Sequence, residues 1–339
     1  MAKIHFLNVE EGDCSIIQHN NGHVTMIDIC CGNVDTKEMK PQLYPLSESL
    51  KGINGNFNQK SYPTNPIEYL KEHQIKSIFR YIQTHPDMDH MDGLYNLVNT
   101  VPIQNFWDTA NLKKQEFDTN GKCGKYLKKD WDCYCALRNS QSDPKALIYY
   151  DGTANKYFAE DDTGPLQDDY LKILSPTKSL MDTANEAGDW NDASYVILYI
   201  IQGRKILFCG DADTKTIEHL TKNHKEDISA LDVLIAPHHG RDSNKDFSFL
   251  DIMRPKLTLI GNAKSEYLAY FEWNSRKLEH IQNNQGGNIL IDVHDGELHV
   301  SCTNKTYADA YNREKFHNEG ASMDINNLGY WNLFYYKAK

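Results

Sequence analysis

The stretch THPDMDHMDGL, residues 84–94, constrains the fold more than any other part of this 339-residue chain. It follows the apolar run SIFRYI, which predicts a strand, so its polar side chains come where a strand ends. A polar cluster of this kind cannot pack a core, and three neighbouring aspartates repel one another unless a positive group lies between them. A divalent metal ion is the simplest such group. The simpler alternative is a capped helix start, in which Asp87 or Asp89 accepts hydrogen bonds from backbone N–H groups.

Two later clusters share this position after an apolar strand. The stretch FCGDAD ends at Asp213, and the stretch IAPHHG ends at Gly240. Carboxylate oxygens and neutral imidazole nitrogens are the ligands of hydrolytic metal sites, and an aspartate between two ions can bridge them. Taken alone, each cluster has a simpler explanation as a turn or a strand end. Together the three clusters predict a metal site where loops from different strands converge on one edge of a sheet.

Charge balance and the lack of long apolar segments limit the classes of function. The formal net charge is −11, so a general basic surface for polyanions is not expected. No apolar run approaches the length of a membrane-spanning helix, and the start MAKIHFLNVEEGD lacks the apolar stretch of a signal peptide. The eight cysteines contain no CxxC pair, which indicates reduced thiols. We therefore expect a cytoplasmic protein without a membrane partner.

The order of the predicted elements indicates an α/β fold built from two halves. The first half opens with three short strands and adds a helix and a strand before the THPDMDHMDGL motif. The second half begins with a hairpin over residues 195–209, continues with alternating helices and strands, and closes with a hairpin that ends at residue 302. A helix is predicted near residues 275–283. Two such halves predict a sandwich of two sheets with helices on both outer faces.

Two segments fall outside this pattern. Residues 110–168 are rich in Asn, Lys and Asp and have weak helical and strand signals, so we interpret them as an insertion. Residues 303–339 form an aromatic-rich C-terminal extension, which we expect to pack on a domain that comprises residues 1–302. The aromatic residues near its end are predicted to dock as a terminal strand.

The motifs resemble those of the metallo-β-lactamase fold superfamily, and most closely those of the soluble hydrolase domain of the ComEC competence-protein branch. Besides the three clusters, the similar stretches are FLNVEEGDCSIIQ, MIDIC with Asp28, and NDASYVI. They follow the family's order over residues 1–302, and residues 110–168 have no counterpart. The resemblance implies a four-layered αββα sandwich with two divalent metal ions, Zn2+ or Mn2+, at one edge. It also implies a structural role for Asp28, which would bond the loop backbone near the metal motif.

The resemblance further implies a role for each residue of the clusters. The expected ligands are His85 and Asp87 at the first metal, Asp89, His90 and one histidine of the pair His238-His239 at the second, and Asp211 as the bridge. We favour His239 as the ligand, because the Gly240 that follows it matches the family's His-Gly step. His238 would then face the substrate as a proton donor or a phosphate contact. Asp89 and His238 are the predicted catalytic residues.

Two departures from the family pattern affect the first metal. Asp87 stands where most of the superfamily has a second histidine, and no histidine occurs between His90 and His219, so the usual histidine of the third motif is absent. The resulting oxygen-rich donor set shifts the preference from zinc toward manganese or another harder ion. A weakly occupied first site is the alternative.

Four further residues are predicted to contact the substrate. Asn191 and Ser194 occupy the region of the missing histidine, and Arg241 and Asn244 follow His239 closely enough to reach an anionic group. The simpler alternatives are a turn before a strand for the first pair and a solvated loop for the second.

The resemblance to the ComEC branch, which is associated with DNA degradation, implies a metal-dependent phosphodiesterase or nuclease in which a metal-bound hydroxide attacks phosphorus. The partner would then be a phosphodiester, such as DNA or a nucleotide. One alternative is hydrolysis of a carboxylic ester, lactone or thioester by the same metals. Another is a non-catalytic binding module with a degenerate metal site, since one family histidine is replaced and another is missing.

The insertion carries six lysines between Lys113 and Lys129, interleaved with the aromatic residues Tyr126 and Trp131. Lysines can follow a phosphate backbone while aromatic rings stack on bases, so this segment is predicted to select a nucleic-acid substrate. The alternative for these lysines is a solvated surface face.

Overall fold

The computed structural model describes residues 1–35, 52–154, 156–158, 169–243, 245–317, 321–324, 327 and 329–336. The strands in these ranges are β1 Ala2–Phe6, β2 Ser15–Gln18, β3 Val24–Ile27, β4 Ile78–Ile82, β5 Ile103–Asp108, β6 Lys122–Cys123, β7 Tyr126–Leu127, β8 Lys145–Ile148, β9 Asp169–Ser175, β10 Val196–Ile201, β11 Arg204–Phe208, β12 Val233–Ile235, β13 Leu257–Ile260, β14 His280–Gln282, β15 Ile289–His294, β16 Glu297–Cys302 and β17 Trp331–Tyr336. The α-helices are α1 Pro66–Glu72, α2 Leu94–Val98, α3 Lys128–Leu137, α4 Lys178–Ala187, α5 Thr214–Asn223, α6 Lys225–Ile228, α7 Phe249–Met253, α8 Tyr270–Ser275, α9 Asn283–Gly286 and α10 Lys305–Phe316.

Most of the described strands belong to two mixed sheets. The larger sheet has the order β17-β16-β15-β1-β2-β3-β4-β5-β8, and the smaller one has the order β14-β13-β12-β11-β10-β9. In the larger sheet the strands are antiparallel from β17 to β3 and parallel from β3 to β8. In the smaller sheet β9, β10 and β11 are antiparallel, and β11 to β14 are parallel. Parallel neighbours bring their carboxyl ends to the same edge of a sheet, and loops at such an edge are where ligands bind in α/β folds.

Both faces of each sheet are buried, which explains the nearly unbroken apolar strands. Successive residues of a strand point to opposite faces, so a strand covered on both sides needs apolar neighbours. Ile16 and Ile17 of β2 show this arrangement: Ile17 packs between the sheets, and Ile16 packs on the outer face beneath the helices. The sequence VILYII of β10 follows the same rule in the smaller sheet.

Three hydrophobic clusters define the layers. The first lies between the sheets and contains side chains of β1 and β15 from the larger sheet together with β10, β11 and β12 from the smaller one. The second joins the outer face of the larger sheet to α1, α2 and α3, and the third joins the outer face of the smaller sheet to α5, α7 and α8. The layers are therefore helix, sheet, sheet and helix. The predicted four-layered αββα sandwich is confirmed.

Residues 110–168 contain more regular structure than we predicted, and two other elements also differ. Within that range α3 packs Trp131 and Tyr134 against the larger sheet, and β8 pairs in parallel with β5. The sequence signal was weak because α3 buries few apolar side chains among its charged residues.

The predicted helix near residues 275–283 is wrong, because α8 ends at Ser275 and residues 280–282 form β14. Helix α4, which Thr177 caps by accepting from the backbone N–H of Leu180, was not predicted.

The C-terminal aromatic residues form β17, the terminal strand that their composition predicts. This strand pairs with β16 at the edge of the larger sheet, and helix α10 packs close to it. Within the described part of the chain, no helix has the length and apolarity needed to cross a membrane.

Candidate metal centre

Three loops meet at one edge of the sandwich, and they carry the three polar clusters. One follows β4 in the larger sheet, and the other two follow the adjacent parallel strands β11 and β12 in the smaller sheet. Backbone hydrogen bonds join them: His238 N–H donates to Gly210 O at 2.9 Å, and Tyr195 N–H donates to Thr84 O at 2.9 Å. Gly210 has a φ of +50°, and a Cβ there would lie 2.9 Å from Cβ of Thr84. Glycine is therefore needed where the loop after β11 contacts the loop after β4.

Asp28 fixes the loop after β4, as predicted. Its Oδ1 accepts from the backbone N–H of Thr84 at 2.8 Å, and its Oδ2 accepts from Thr84 Oγ1 at 2.5 Å. The same Oδ2 lies 2.7 Å from Nδ1 of His90. An imidazole that donates its Nδ1–H to a carboxylate keeps a lone pair on Nε2. Asp28 thus leaves Nε2 of His90 free to bind a metal.

The Nε2 atoms of His90 and His239 converge on one oxygen of Asp211. Nε2 of His90 lies 3.1 Å and Nε2 of His239 lies 3.4 Å from Oδ1 of Asp211. Oδ2 of Asp89 is 3.9 Å from Nε2 of His239, and ligand atoms of Asp89, His90 and His239 all lie within 4.8 Å of one another. The four predicted residues of this side therefore surround one small volume, which we call the inner site.

Asp13 is a functional candidate that sequence reasoning missed. Its Oδ1 lies 3.1 Å from Nδ1 of His239, but the two atoms do not form a hydrogen bond like that between Asp28 and His90. Ligand atoms of Asp13, Asp211 and His239 lie within 4.8 Å of one another, so Asp13 is a further possible metal ligand. The residue stands in the Gly12-Asp13 turn of the stretch FLNVEEGDCSIIQ, one of the stretches that carried the family resemblance. That turn was a usable signal, although spacing alone does not connect Asp13 with a histidine 226 residues away.

The second group of donors is more open, and we call it the outer site. Nε2 of His85 lies 3.8 Å from Oδ2 of Asp87 and 3.9 Å from Oδ2 of Asp211. Nε2 of His238 lies 3.4 Å from the same Asp211 oxygen. Asp211 therefore presents one oxygen to each site, the arrangement expected of a bridging carboxylate. The Nε2 atom of His238 faces the outer site, for which this chain lacks the third-motif histidine of the family.

The backbone explains why the adjacent residues His238 and His239 face different sites. Both have left-handed backbone conformations, with φ of 51° and 54°, and Gly240 follows with φ of 76°. Such conformations are costly for residues with a Cβ and are typical of functional sites. Ser243 Oγ lies 3.1 Å from Nδ1 of His238 and orients its ring.

Lys113 is the second residue that sequence reasoning did not place in the site. Its Nζ lies 2.5 Å from Oδ1 of Asp87, and its side chain is 15% exposed. It also lies 5.4 Å from the ring centroid of Trp190. Lys113 comes from residues 110–168, the region without a family counterpart, so the resemblance carried no information about it.

Burial and neighbouring charges shift the pKa values of the cluster strongly. Burial disfavours the charged form of His90, but Asp211 and Asp28 on its two nitrogens raise its pKa well above the usual range. Burial also disfavours the charged form of His239, but Asp211 and Asp13 raise its pKa to about 9. Burial and the neighbouring His90 lower the pKa of His85 to about 3. The carboxylates of the inner site thus attract positive charge, a role that a divalent cation fills.

The unpaired buried atoms of the cluster also indicate that this donor set fits a metal ion. Among the described residues, buried atoms without a hydrogen-bond partner include Nε2 of His85, His90 and His239 and Oδ1 of Asp211. Buried polar atoms are nearly always paired, so four such atoms around the inner and outer sites indicate that a ligand binds there. Two or three imidazole nitrogens with two carboxylates suit zinc, manganese or iron.

The predicted substrate contacts are less well supported by the geometry. Asn191 begins a 3-10 turn whose backbone O accepts from the N–H of Ser194, and the Ser194 side chain is fully buried. The guanidinium of Arg241 lies 4.8 Å from the ring centroid of Tyr267. Asn244 lies outside the described residues. For Asn191 and Arg241 these contacts agree with the simpler turn and loop explanations.

The chain is a four-layered αββα sandwich, the architecture of the metallo-β-lactamase fold, with a cluster of histidines and aspartates at one edge. No family model matches the sequence, and no curated protein sequence matches it. Solved structures similar to it include Igni18, a metallo hydrolase from Ignicoccus hospitalis, with 12% identity, 86% of this chain and 100% of that chain covered, and a TM-score of 0.43. A diphosphatase of the PhnP family has 11% identity, coverage of 83% and 95%, and a TM-score of 0.40. CmlA, a diiron β-hydroxylase from Streptomyces venezuelae, has 11% identity, coverage of 80% and 45%, and a TM-score of 0.39.

Proposed function

We propose that the chain is a metal-dependent hydrolase whose substrate is a phosphodiester. The observation that carries this proposal is the set of unpaired buried atoms around Asp211, which lie on His85, His90, His239 and Asp211 itself. Such a set would hold one or two divalent ions, which would supply activation of water and neutralisation of the charge that develops on phosphorus. Asp89, His90, His239 and Asp211 would hold the inner ion. His85, Asp87 and Asp211 would hold the outer one.

Lys113 supports an anionic substrate. An ammonium group has three donors, so it can keep its contact with Asp87 and still bind an oxygen of a phosphate group. Its charge next to the outer site favours a substrate with a negative charge over a neutral ester. The motif resemblance to the ComEC branch favours a phosphodiester for the same site.

His238 is the proposed proton donor. Its Nε2 lies 3.4 Å from Oδ2 of Asp211 at the outer site, and its Nδ1 lies 3.1 Å from Oγ of Ser243. Its side chain is 14% exposed, so a substrate can reach it. A histidine in such a place can protonate a leaving oxygen, which contributes roughly 100-fold to 10,000-fold in rate. If it instead binds the outer ion, the same geometry makes it a ligand, and the metal content of a His238→Gln variant separates the two roles.

The metal, the location and the nature of the phosphodiester are part of the proposal. We propose manganese as the preferred ion because Asp87 makes the outer site rich in oxygen donors. The eight cysteines are free thiols, which agrees with the reducing cytoplasm that we expect. DNA and nucleotides are the candidate substrates.

Hydrolysis of two model esters tests this proposal. The wild-type protein, supplied with Mn2+, should hydrolyse bis-p-nitrophenyl phosphate faster than p-nitrophenyl acetate. Asp211→Asn should abolish the phosphodiester activity, whereas His294→Gln, which changes a half-exposed residue on β15, should leave it unchanged. Turnover of the acetate alone would overturn the phosphodiester assignment. Metal binding without turnover of either ester would identify a binding module.

A further inference from the structure

A second group of metal donors lies near the C-terminal end of α5, outside the candidate metal centre. His219 lies within α5, His224 follows its last residue, and Asp151 lies in the turn after β8. The backbone N–H of Asp151 donates to Pro176 O at 2.8 Å, which holds this turn next to the end of β9. One ligand atom from each of the three side chains lies within 4.8 Å of the other two.

The two imidazoles converge on a single carboxylate oxygen. Nε2 of His219 lies 3.2 Å and Nε2 of His224 lies 3.0 Å from Oδ2 of Asp151. Zinc binds imidazole nitrogen and carboxylate oxygen at about 2.0–2.2 Å, so tetrahedral ligand atoms lie about 3.3 Å apart. The observed separations are close to that value.

His224 also has a partner that orients it for metal binding. Its Nδ1 lies 3.0 Å from Oδ2 of Asp227, and Lys172 Nζ in turn lies 2.7 Å from Oδ1 of Asp227. If Nδ1–H donates to Asp227, the lone pair of Nε2 points at the Asp151 carboxylate. Two acceptors at 3.0 Å repel each other unless a cation or a proton lies between them. A carboxylate behind a histidine is the usual outer partner of a metal-binding imidazole.

The contacts of His219 allow the same role. Its Nδ1 lies 2.9 Å from the side-chain amide of Asn223, and its Nε2 is also 3.1 Å from Leu174 O. The amide oxygen and nitrogen of asparagine are interchangeable in assignment, so Asn223 can accept from Nδ1–H and leave the lone pair on Nε2. In the other tautomer, Nε2–H donates to Leu174 O or to Asp151.

We propose that Asp151, His219 and His224 form a separate zinc site with a solvent molecule as the fourth ligand. The three side chains are 17%, 11% and 12% exposed, which leaves an open coordination position. Zinc there fastens the turn after β8, at the edge of the larger sheet, to α5 on the smaller sheet. This site shares no residue with the clusters at the sheet edge and does not depend on the proposed hydrolase activity.

Zinc stoichiometry distinguishes this site from the catalytic cluster. The chelator-treated protein, its His224→Gln variant and its Asp211→Asn variant are each equilibrated with zinc, desalted and analysed by elemental mass spectrometry. His224→Gln should bind one zinc fewer than the wild type, and Asp211→Asn should retain the zinc that His224→Gln loses. His294→Gln is the matched histidine control and should bind as much zinc as the wild type. Equal zinc content in His224→Gln and the wild type would overturn the proposal.

A zinc-edge anomalous difference map of wild-type crystals decides the matter even if His224→Gln fails to fold. A peak within ligand distance of Asp151 Oδ2 and both Nε2 atoms is the expected result. A map from zinc-soaked crystals without a peak there would contradict the site. In that case the hydrogen bonds of His224 to Asp151 and Asp227 account for the geometry.

Discussion

The buried carboxylate of Asp28 holds the imidazole of His90 by its Nδ1 atom, at 2.7 Å. The Nε2 atoms of both inner-site histidines are directed at Asp211, at 3.1 Å for His90 and 3.4 Å for His239. Among the described residues, Asp28 belongs to none of the groups whose ligand atoms lie close enough together for a metal, whereas Asp13 forms such a group with Asp211 and His239. The effect of Asp28 on metal binding therefore passes through His90, which makes Asp28 a positioning residue.

Asp28→Asn should weaken metal binding without unfolding the protein. The asparagine would place an N–H group where Oδ2 faces His90, so His90 would take the tautomer that protonates Nε2. Loss of such an outer partner typically lowers metal affinity by about 10-fold to 100-fold. A competition titration of Mn2+ against a chelating dye measures the change.

Asp232→Asn is a suitable control for this titration. Asp232 is also a buried carboxylate, but its partner is Arg204, at 3.2 Å, rather than a histidine. Similar manganese affinities for the Asp28→Asn variant and the wild type would show that Asp28 serves the loop backbone alone.

Lys113→Gln tests the contact with an anionic substrate. Because the ammonium group lies beside Asp87, its loss should raise KM for bis-p-nitrophenyl phosphate by roughly 10-fold, equivalent to about 1.4 kcal/mol. Metal content should not fall, since lysine is not a ligand and its removal frees Oδ1 of Asp87. Lys114→Gln alters the exposed neighbour and should leave KM unchanged. An unchanged KM in the Lys113 variant would remove this residue from the substrate site.

The contacts of two lysines in the insertion, Lys125 and Lys128, bear on the choice between DNA and a small phosphodiester. Lys125 Nζ lies 2.5 Å from Glu10, and Lys128 Nζ lies 2.5 Å from Asp132, four residues further along α3. All three lysines contact a carboxylate, but the partner of Lys113 is Asp87, a predicted metal ligand, whereas Glu10 and Asp132 belong to no predicted metal or substrate set. These contacts favour the solvated-face alternative for these two lysines and leave Lys113 as the lysine at the metal edge.

Salt dependence of single-stranded DNA binding separates these lysines. Each phosphate contact contributes about 0.7 to the slope of log affinity against log salt for single strands. Lys113→Gln should reduce the slope by about that amount, and a Lys125→Gln, Lys128→Gln double variant should not change it. A flatter slope in the double variant alone would restore the prediction that the segment follows the DNA backbone.

A chain of buried hydrogen bonds joins β1, α1 and the residue that precedes β17. Nδ1 of His5 in β1 lies 2.8 Å from the hydroxyl of Tyr69 in α1, which lies 2.6 Å from the hydroxyl of Tyr330 before β17. Nε2 of His5 lies 2.8 Å from Oε1 of Gln18 in β2. Tyr330 thereby anchors the C-terminal extension to the first strands. Burial lowers the pKa of His5 to about 3, although the hydrogen bond that His5 donates to Gln18 acts in the opposite direction.

The shifted pKa of His5 predicts a loss of stability in acid. In the unfolded chain His5 binds a proton near pH 6.5, whereas in the folded protein it binds one only near pH 3. The stability that the neutral His5 contributes above pH 6.5 is therefore lost as the pH decreases between these values. The loss attributable to His5 is about 1.4 kcal/mol per pH unit in the middle of this range. Chemical unfolding of the wild type and of His5→Gln can be measured at about pH 6.5, 5.5 and 4.5, at and below the unfolded pKa of about 6.5. The free energy of unfolding should depend less steeply on pH in the variant than in the wild type. Parallel curves would contradict a neutral, buried His5.

For the whole molecule, the sequence carried the parts of the site that lie in continuous motifs. The three clusters and the αββα layers follow from local patterns, because strand periodicity and polar residues at strand ends are visible within ten residues. The role of Asp28 was implied by the family resemblance of the stretch MIDIC. Lys113, Asp13 and the separate Asp151 cluster depend on contacts between distant segments. Their positions result from how the two sheets and α5 pack, which no local pattern encodes. The same reason explains why the edge strand β8 was missed.

Whether the cluster around Asp211 binds metal is tested most directly by crystals of the wild-type protein soaked in Mn2+ and measured for anomalous scattering. The predicted result is a peak about 2.0–2.3 Å from Oδ1 of Asp211 and from Nε2 of His90 and His239, with a second peak near Oδ2 of Asp211 if the outer site is filled. A map without a peak at Asp211, in which His85, His90 and His239 turn toward different surfaces, would contradict the metal centre and the hydrolase proposed from it.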